Sequence, residues 1–236
     1  MDWPQIVSIV WAGAMLGIGI ANHGKPFPVG KWSVWLVALR VALYGCLLWA
    51  GGFYTVAQAQ VPQPALQYRP LLTRTAHAVW GLDAPVAVFA AQVHQESAWR
   101  PGAVSHVGAQ GLAQFMPATT RWIASQSPDL AAQQPYNPAW ALRALVTYDL
   151  WLYERTPARY DPFDRMWVAL RAYNGGLGHW QAEARRLGVR LPSRVQVDAA
   201  CGTARRAAVH CRENLGYPHR ILVVLQPRYL QWGLGL

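Results

Sequence analysis

Residues 93–100 read VHQESAWR, and residues 108–117 read GAQGLAQFMP. The first stretch closes an apolar run, PVAVFAAQVHQ, with an acid, Glu96. The second is a loop punctuated by Gly108 and Gly111. In the run, Val86, Phe89, Ala90 and Val93 recur at helical spacing, and Glu96 follows Val93 at i+3, so it falls on the same apolar face. A carboxyl group placed there loses water, which disfavours its charged form and raises its pKa. A general acid working near neutral pH needs that shift. A glutamate at a helix end, paired with an arginine such as Arg100, leaves the same trace in sequence. The helix alone does not separate the two readings.

Outward from this stretch the pattern stays helical. Asp83 with Pro85 predicts a helix start, followed by a helix to Trp99. Asn137-Pro138 opens PAWALRALVTYDLWLYER, with Ala141, Leu145, Tyr148 and Leu152 on one stripe. Asp161-Pro162 opens another helix that runs to Gly175-Gly176. A last helix is expected from Asn214 to Leu230, with Pro218 in its first turns. No run of alternating residues predicts a strand. Residues 68–236 therefore read as one mainly α domain, large enough to bury a core of its own. Residues 56–67, with Pro62 and Pro64, read as a linker.

Residues 1–55 differ from the rest. Residues 3–21, WPQIVSIVWAGAMLGIGIA, hold no ionisable side chain, and residues 32–54 are interrupted only by Arg40. Each run approaches the ~20 residues that a helix needs to cross a bilayer. The reading is a two-helix membrane anchor, with Trp3, Trp32, Trp35 and Tyr54 near the ends of the spans. A buried helical hairpin is the alternative. The segment between, NHGKPFPVGK, carries Lys25 and Lys31, the only lysines of the chain. The positive-inside rule then leaves that turn in the cytoplasm and exports everything after residue 55. Ala57-Gln58-Ala59 resembles a cleavage site, and cutting there would release the exported domain. The expected location is the bacterial inner membrane with the large domain in the periplasm. The formal net charge of +10 suits an anionic partner. Zinc-finger spacing and helix-turn-helix patterning are absent from the sequence, which argues against nucleic acid. In an oxidising compartment Cys201 and Cys211 would form a disulfide, with two free thiols as the alternative. His94 and His106 bracket Glu96, but a third ligand at zinc spacing is missing. Neither metal nor cofactor is expected.

Several short motifs occur together in a fixed order. They are Glu96-Ser97, the block from Gly108 to Pro117, the run Ala172-Tyr173-Asn174-Gly175-Gly176, and Glu213 with Tyr217. Together they resemble the lytic transglycosylases of the SLT type, within the lysozyme-like superfamily, over residues 68 to 230. One departure is Ala113, where that family usually has methionine, which bears on subsite preference. The first residues, MDWPQIVSIV and NHGKP, resemble small two-helix membrane proteins of prophage lysis regions, which implies a phage or prophage origin.

The resemblance implies cleavage of the β-1,4 bond between N-acetylmuramic acid and N-acetylglucosamine in peptidoglycan, leaving a 1,6-anhydromuramic end. Glu96 is the implied catalytic acid and base. With no partner acid nearby in sequence, the substrate's own N-acetyl group takes the second role, an exception to the two-carboxylate rule. Ser105 is expected to hydrogen-bond that N-acetyl group. Gln114, Met116 and Thr119 are expected to line sugar subsites, with Gly108 and Gly111 letting backbone approach the glycan. Tyr173 is expected against Glu96 and the substrate, Asn174 to hold the loop, and Glu213 and Tyr217 to form the far wall. Two other readings stay open: a goose-type lysozyme that hydrolyses on the same fold, and a non-catalytic holin-like or wall-binding protein. The expected partners are peptidoglycan strands and the inner membrane.

Overall fold

The computed structural model describes residues 60–236 throughout. It also describes 34–50 and short pieces at 14–16, 18, 20, 26–27 and 30–31. The chain divides into two compact units, Met1–Ala59 and Gln60–Leu236. In the first unit, β1 (Pro26–Phe27) pairs antiparallel with β2 (Gly30–Lys31) and α1 spans Val34–Ala50. Leu39 and Leu43 on α1 are exposed. At 17 residues, α1 rises about 25 Å, short of the ~30 Å hydrocarbon core. Among the described residues no helix is long and apolar enough to cross a membrane. Most of the first expected span, residues 3–21, lies outside the described residues, and so do all of residues 51–59.

The second unit is built of helices: α2 (Gln63–Leu66), α3 (Arg69–Trp80), α4 (Val86–Ser97), α5 (Pro117–Gln126), α6 (Pro138–Glu154), α7 (Pro162–Gly175), α8 (Leu177–Arg186), α9 (Arg194–Ala199) and α10 (Cys211–His219). It takes in part of the expected linker, since α2 lies within 56–67 and Ala65 is buried. The N-termini of α6 and α7 follow from their caps. Asn137 Oδ1 accepts from the backbone N–H of Ala139 and Trp140, and Asp161 Oδ1 from that of Asp164. Each satisfies donors that a helix start leaves open. Asp83 does not act this way. Helix α4 begins after Pro85 with no side-chain cap, and Asp83 stays exposed. The last helix also departs from expectation. It starts at Cys211 rather than Asn214, and after His219 it widens to a π-type turn over Arg220–Leu225, then tightens to 3-10 over Gln226–Trp232.

Helix α4 is the centre of the core. Every residue from Val86 to Val93 is buried, so the helix has no solvated face until its last turn. It packs against Arg220–Leu225, Gln226–Trp232 and α3. Each large apolar side chain buried there contributes about 1.5–3 kcal/mol. Ala87 N–H also donates to Leu234 O. The helix stops at Ser97 because Ala98 and Trp99 turn left-handed, at φ 49° and 67°. That conformation strains residues with a side chain, and the burial of Trp99 holds it. Its Nε1 donates to Tyr229 Oη at 2.8 Å, and its ring stacks on Tyr68 and tilts against Trp232.

A polar knot lies behind α7. Arg171, fully buried, donates Nε to Asn214 Oδ1 at 2.9 Å, Nη1 to Asp198 Oδ1 at 2.7 Å and Nη2 to Glu183 Oε2 at 2.9 Å. Arg206 Nε donates to the other oxygen of Glu183. Gly175 has no side chain to spare here, since a Cβ would meet Arg206 and Asn214. Removing one member strands a buried charge, which costs about 3–5 kcal/mol. Arg171→Met is expected to lower unfolding free energy by about that amount in urea denaturation.

Candidate active site

Helix α4 delivers Glu96 to the wall of a groove. Tyr217 Oη, from α10, donates to Glu96 Oε1. Among the described residues the other oxygen, Oε2, has no hydrogen-bond partner, and none of the described ion pairs includes Glu96. Arg100, the partner that would have made this a structural acid, donates to Ser97 O instead. Burial pushes the Glu96 carboxyl up to about 8; Tyr217 pulls against that shift and the charge of Glu213 adds to it. The cause is not the one-sided helix face inferred from spacing. Helix α4 is apolar all round, and Glu96 is half-buried where the helix leaves the core.

The groove beside Glu96 has three connected recesses. One, of about 390 Å³, brings together Glu96, Ser105, Gln114, Met116, Thr119, Tyr173, Asn174 and Glu213. A second, of about 570 Å³, shares Glu96, Asn174 and Glu213 and adds Tyr217. A third continues past Asn174 and Glu213. All nine residues singled out in the sequence therefore lie along one cleft.

Their individual settings differ from expectation in several places. Tyr173 Oη donates to Ala113 O at 2.7 Å, so its hydrogen is committed away from Glu96. Tyr217 makes that contact instead, and the two tyrosine rings lie nearly parallel at 6.4 Å. Ala113 is fully buried, so the departure from the family pattern falls in the core and not at a sugar subsite. Gly111 makes room for protein: a Cβ would collide with the carbonyl of Pro135. Gly108, at φ 88°, closes a turn by donating to Ser105 O. Ser105 Oγ accepts from Ala109 N–H at 3.0 Å. Gln114 Nε2 donates to the carbonyls of Ala103 and Gly111, which ties the loop to itself. Met116 is exposed at the groove. Asn174 donates to Glu213 Oε1 at 3.3 Å and accepts from Asn214 at 3.0 Å, which joins the groove to the Arg171 knot. Cys201 and Cys211 are disulfide-bonded.

Sequence reasoning missed an acid beneath the site. Asp149, on α6, is fully buried, and Gln92 Nε2 donates to its Oδ1 at 3.3 Å. Among the described residues Gln92 Oε1 and Asp149 Oδ2 have no hydrogen-bond partner. A neutral Asp149 can return a hydrogen bond to the amide and satisfy both atoms. Burial holds that carboxyl well above its usual range, and the nearby Glu96 adds to the effect. The signal was available. Asp149 follows Leu145 at i+4, on the stripe already assigned to the core. His94 serves the core too: with Trp99 donating to Tyr229 Oη, that hydroxyl can donate to His94 Nδ1 at 2.8 Å. Burial and the charges of Arg228 and Arg220 lower the pKa of His94, which favours the neutral ring this bond needs. Among the described residues no cluster of His, Cys, Asp and Glu is arranged to hold a metal ion.

The raised pKa of Glu96 has a cost in stability. Between the ordinary value of 4.5 and about 8, the unfolded chain has released this proton and the folded chain has kept it. This group therefore makes native stability fall as pH rises through that window, and the loss vanishes below it. Glu96→Gln removes the effect. The variant is expected to be more stable than the parent at pH 8 and equal to it at pH 4, read by urea denaturation at both.

Comparison with known proteins agrees with this geometry. Residues 75–190 match the family model described as the transglycosylase SLT domain. A membrane-bound lytic murein transglycosylase F of Maricaulis maris is 38% identical over 104 residues, 44% of this chain and 21% of that protein. The protein of the same name from Pasteurella multocida is 34% identical over 105 residues, 44% of this chain and 20% of its own length. The chain thus spans about a fifth of these curated relatives. The 70 kDa soluble lytic transglycosylase of Escherichia coli shares the fold, with a TM-score of 0.51 and 18% identity, over 86% of this chain and 36% of that one. By the family model and the order of its motifs, residues 75–190 are similar to the transglycosylase SLT domain, and the chain shares its fold with a solved lytic transglycosylase.

Proposed function

We propose that the protein is a peptidoglycan lytic transglycosylase. It would cleave the β-1,4 bond from N-acetylmuramic acid to N-acetylglucosamine and form a 1,6-anhydromuramic end. The observation that carries this reading is one carboxyl group, half-buried and free of any arginine, whose unpartnered oxygen borders a groove of sugar-sized recesses. At neutral pH it holds its proton. It can pass that proton to the glycosidic oxygen as the bond to C1 breaks. The N-acetyl oxygen of the same sugar closes on C1 and spreads the positive charge. Ser105, whose oxygen already accepts from Ala109, keeps a hydroxyl hydrogen to hold that N-acetyl group. The ionised Glu96 then takes the proton of the C6 hydroxyl, whose oxygen attacks C1 and displaces the acetamido oxygen. No water is consumed. Tyr217 donates to Glu96 throughout, and burial together with the nearby Glu96 charge keeps its own phenol protonated.

Glu213 lines the same groove. That favours one competing reading, in which Glu213 activates a water and the bond is hydrolysed. Mass spectrometry of products from purified peptidoglycan separates the two, because anhydro ends are one water lighter. Glu96→Gln is expected to reduce turnover at least ~10³-fold, as loss of an essential acid does. Activity of the parent should fall on the alkaline side with a midpoint near 8. Tyr217→Phe removes a hydrogen bond that favours the charged form, so its midpoint should move higher. A midpoint in the ordinary carboxylate range would overturn the assignment of Glu96.

We further propose that residues 1–55 anchor the protein in the inner membrane and leave the SLT domain in the periplasm, in a phage or prophage protein. Support comes from the two apolar runs, the second broken only by Arg40, from the lysines between them, and from the exposed leucines of α1. After alkaline carbonate extraction the full chain should stay in the membrane pellet, and a chain beginning at Gln60 should not. Recovery of the full chain in the supernatant would remove the anchor.

A further inference from the structure

The groove is electrically lopsided. The recess that holds Ser105 and Met116 has no arginine or lysine in its wall. Beyond Asn174 and Glu213 the wall becomes cationic. Arg205, Arg206, His179 and His210 line the third recess, of about 500 Å³, and Arg212 and Arg220 line the second. Glu213 is the one acid in the wall of the third recess.

These cations are not all used by the fold. Arg220 Nε donates to Gln95 Oε1 at 2.6 Å, and Arg206 is held by Glu183. Arg205 and Arg212 are exposed and take no part in the described hydrogen bonds, ion pairs or ring contacts. Two buried atoms of residues in the recess wall also lack partners: Arg206 Nη2, on a side chain more than nine-tenths buried, and His179 Nδ1. Buried polar atoms without partners are costly, and here both belong to residues that line an open recess. The segment is not a loose arm. The disulfide between Cys201 and Cys211 closes it at both ends, and Arg206 pins it from within.

A bare glycan backbone of N-acetylated sugars gives arginines little to pair with. The lactyl group of each muramic acid carries a peptide, however, and that peptide has free carboxylates several bonds away from the ring. Arginine pairs with carboxylates through two parallel hydrogen bonds. We infer that the disulfide-closed segment 201–211, with Arg205, Arg206 and Arg212, is a subsite for the carboxylates of a peptidoglycan stem peptide next to the scissile bond. This rests on the lytic transglycosylase reading and adds to it a preference for peptide-bearing over peptide-free strands.

The test uses the full chain in detergent and two substrates. One is soluble, uncrosslinked strands with their stem peptides. The other is the same strands after an amidase has removed the peptides, which leaves the lactyl carboxylate on the sugar. The parent should show kcat/KM roughly tenfold or more higher on peptide-bearing strands, the scale of one or two charge-assisted contacts. Arg205→Ala with Arg212→Ala should erase most of that difference and leave turnover of stripped strands within about twofold; Lys at both positions should restore part of it. Equal turnover of the two substrates by the parent would overturn the inference. So would a variant that slows on both alike, because its arginines would then be reading the sugar's own carboxylate. Binding of the two strands to the Glu96→Gln protein is measured in parallel. If that protein prefers peptide-bearing strands while the parent releases no anhydro ends, the subsite stands and the catalytic reading falls. If it binds both equally, the subsite falls whatever the parent cleaves.

Discussion

Everything in the second unit depends on how completely helix Val86–Ser97 is wrapped. A helix buried on all sides contributes enough apolar area to anchor a domain, and its C-terminal end becomes a dry place to put a polar group. Glu96 occupies that place. Its proton is retained because the charge would have poor solvation, and Tyr217 moderates the effect without reversing it. The cost of this carboxyl, a few kcal/mol at most, is small beside the apolar burial along the rest of the helix. The fold can therefore carry a group that opposes folding at the pH where it would act.

The Arg171 knot plays a second part. It ties α7, α8, α9 and α10 together through one guanidinium and its partners. Asn214 bonds both Arg171 and Asn174, and Asn174 reaches Glu213 in the groove. The wall opposite the glycine-punctuated loop is thus fixed from inside the protein. The arginine-rich segment is hung from the same knot by Arg206 and Glu183. Structure and groove share one set of polar contacts, which is why Arg171, Glu183 and Arg206 are buried charges.

How much of this was readable in the sequence varies by feature. Helices α6 and α7 announced themselves through Asn-Pro and Asp-Pro caps. Helices α3, α5 and α8 did not, because their patterns mix polar and apolar residues without a clean stripe. Glu96 was found by the company it keeps, while the spacing argument for it misjudged a helix with no polar face. The same spacing would have found Asp149, had a second buried acid been sought. Tyr217 lies 121 positions from Glu96, and no local pattern could say that it, rather than Tyr173, would touch the carboxyl. Ala113 looked like a groove position because its neighbours in sequence are; in a loop this tight, adjacent residues point into different surroundings.

The cover over Glu96's helix arrives late in the chain. Trp99 meets Tyr229 across 130 positions, and Ala87 waits for the carbonyl of Leu234. Until that segment has been synthesised, the helix keeps one flank in water. A nascent chain that already holds every motif residue therefore still lacks part of the cover of its central helix.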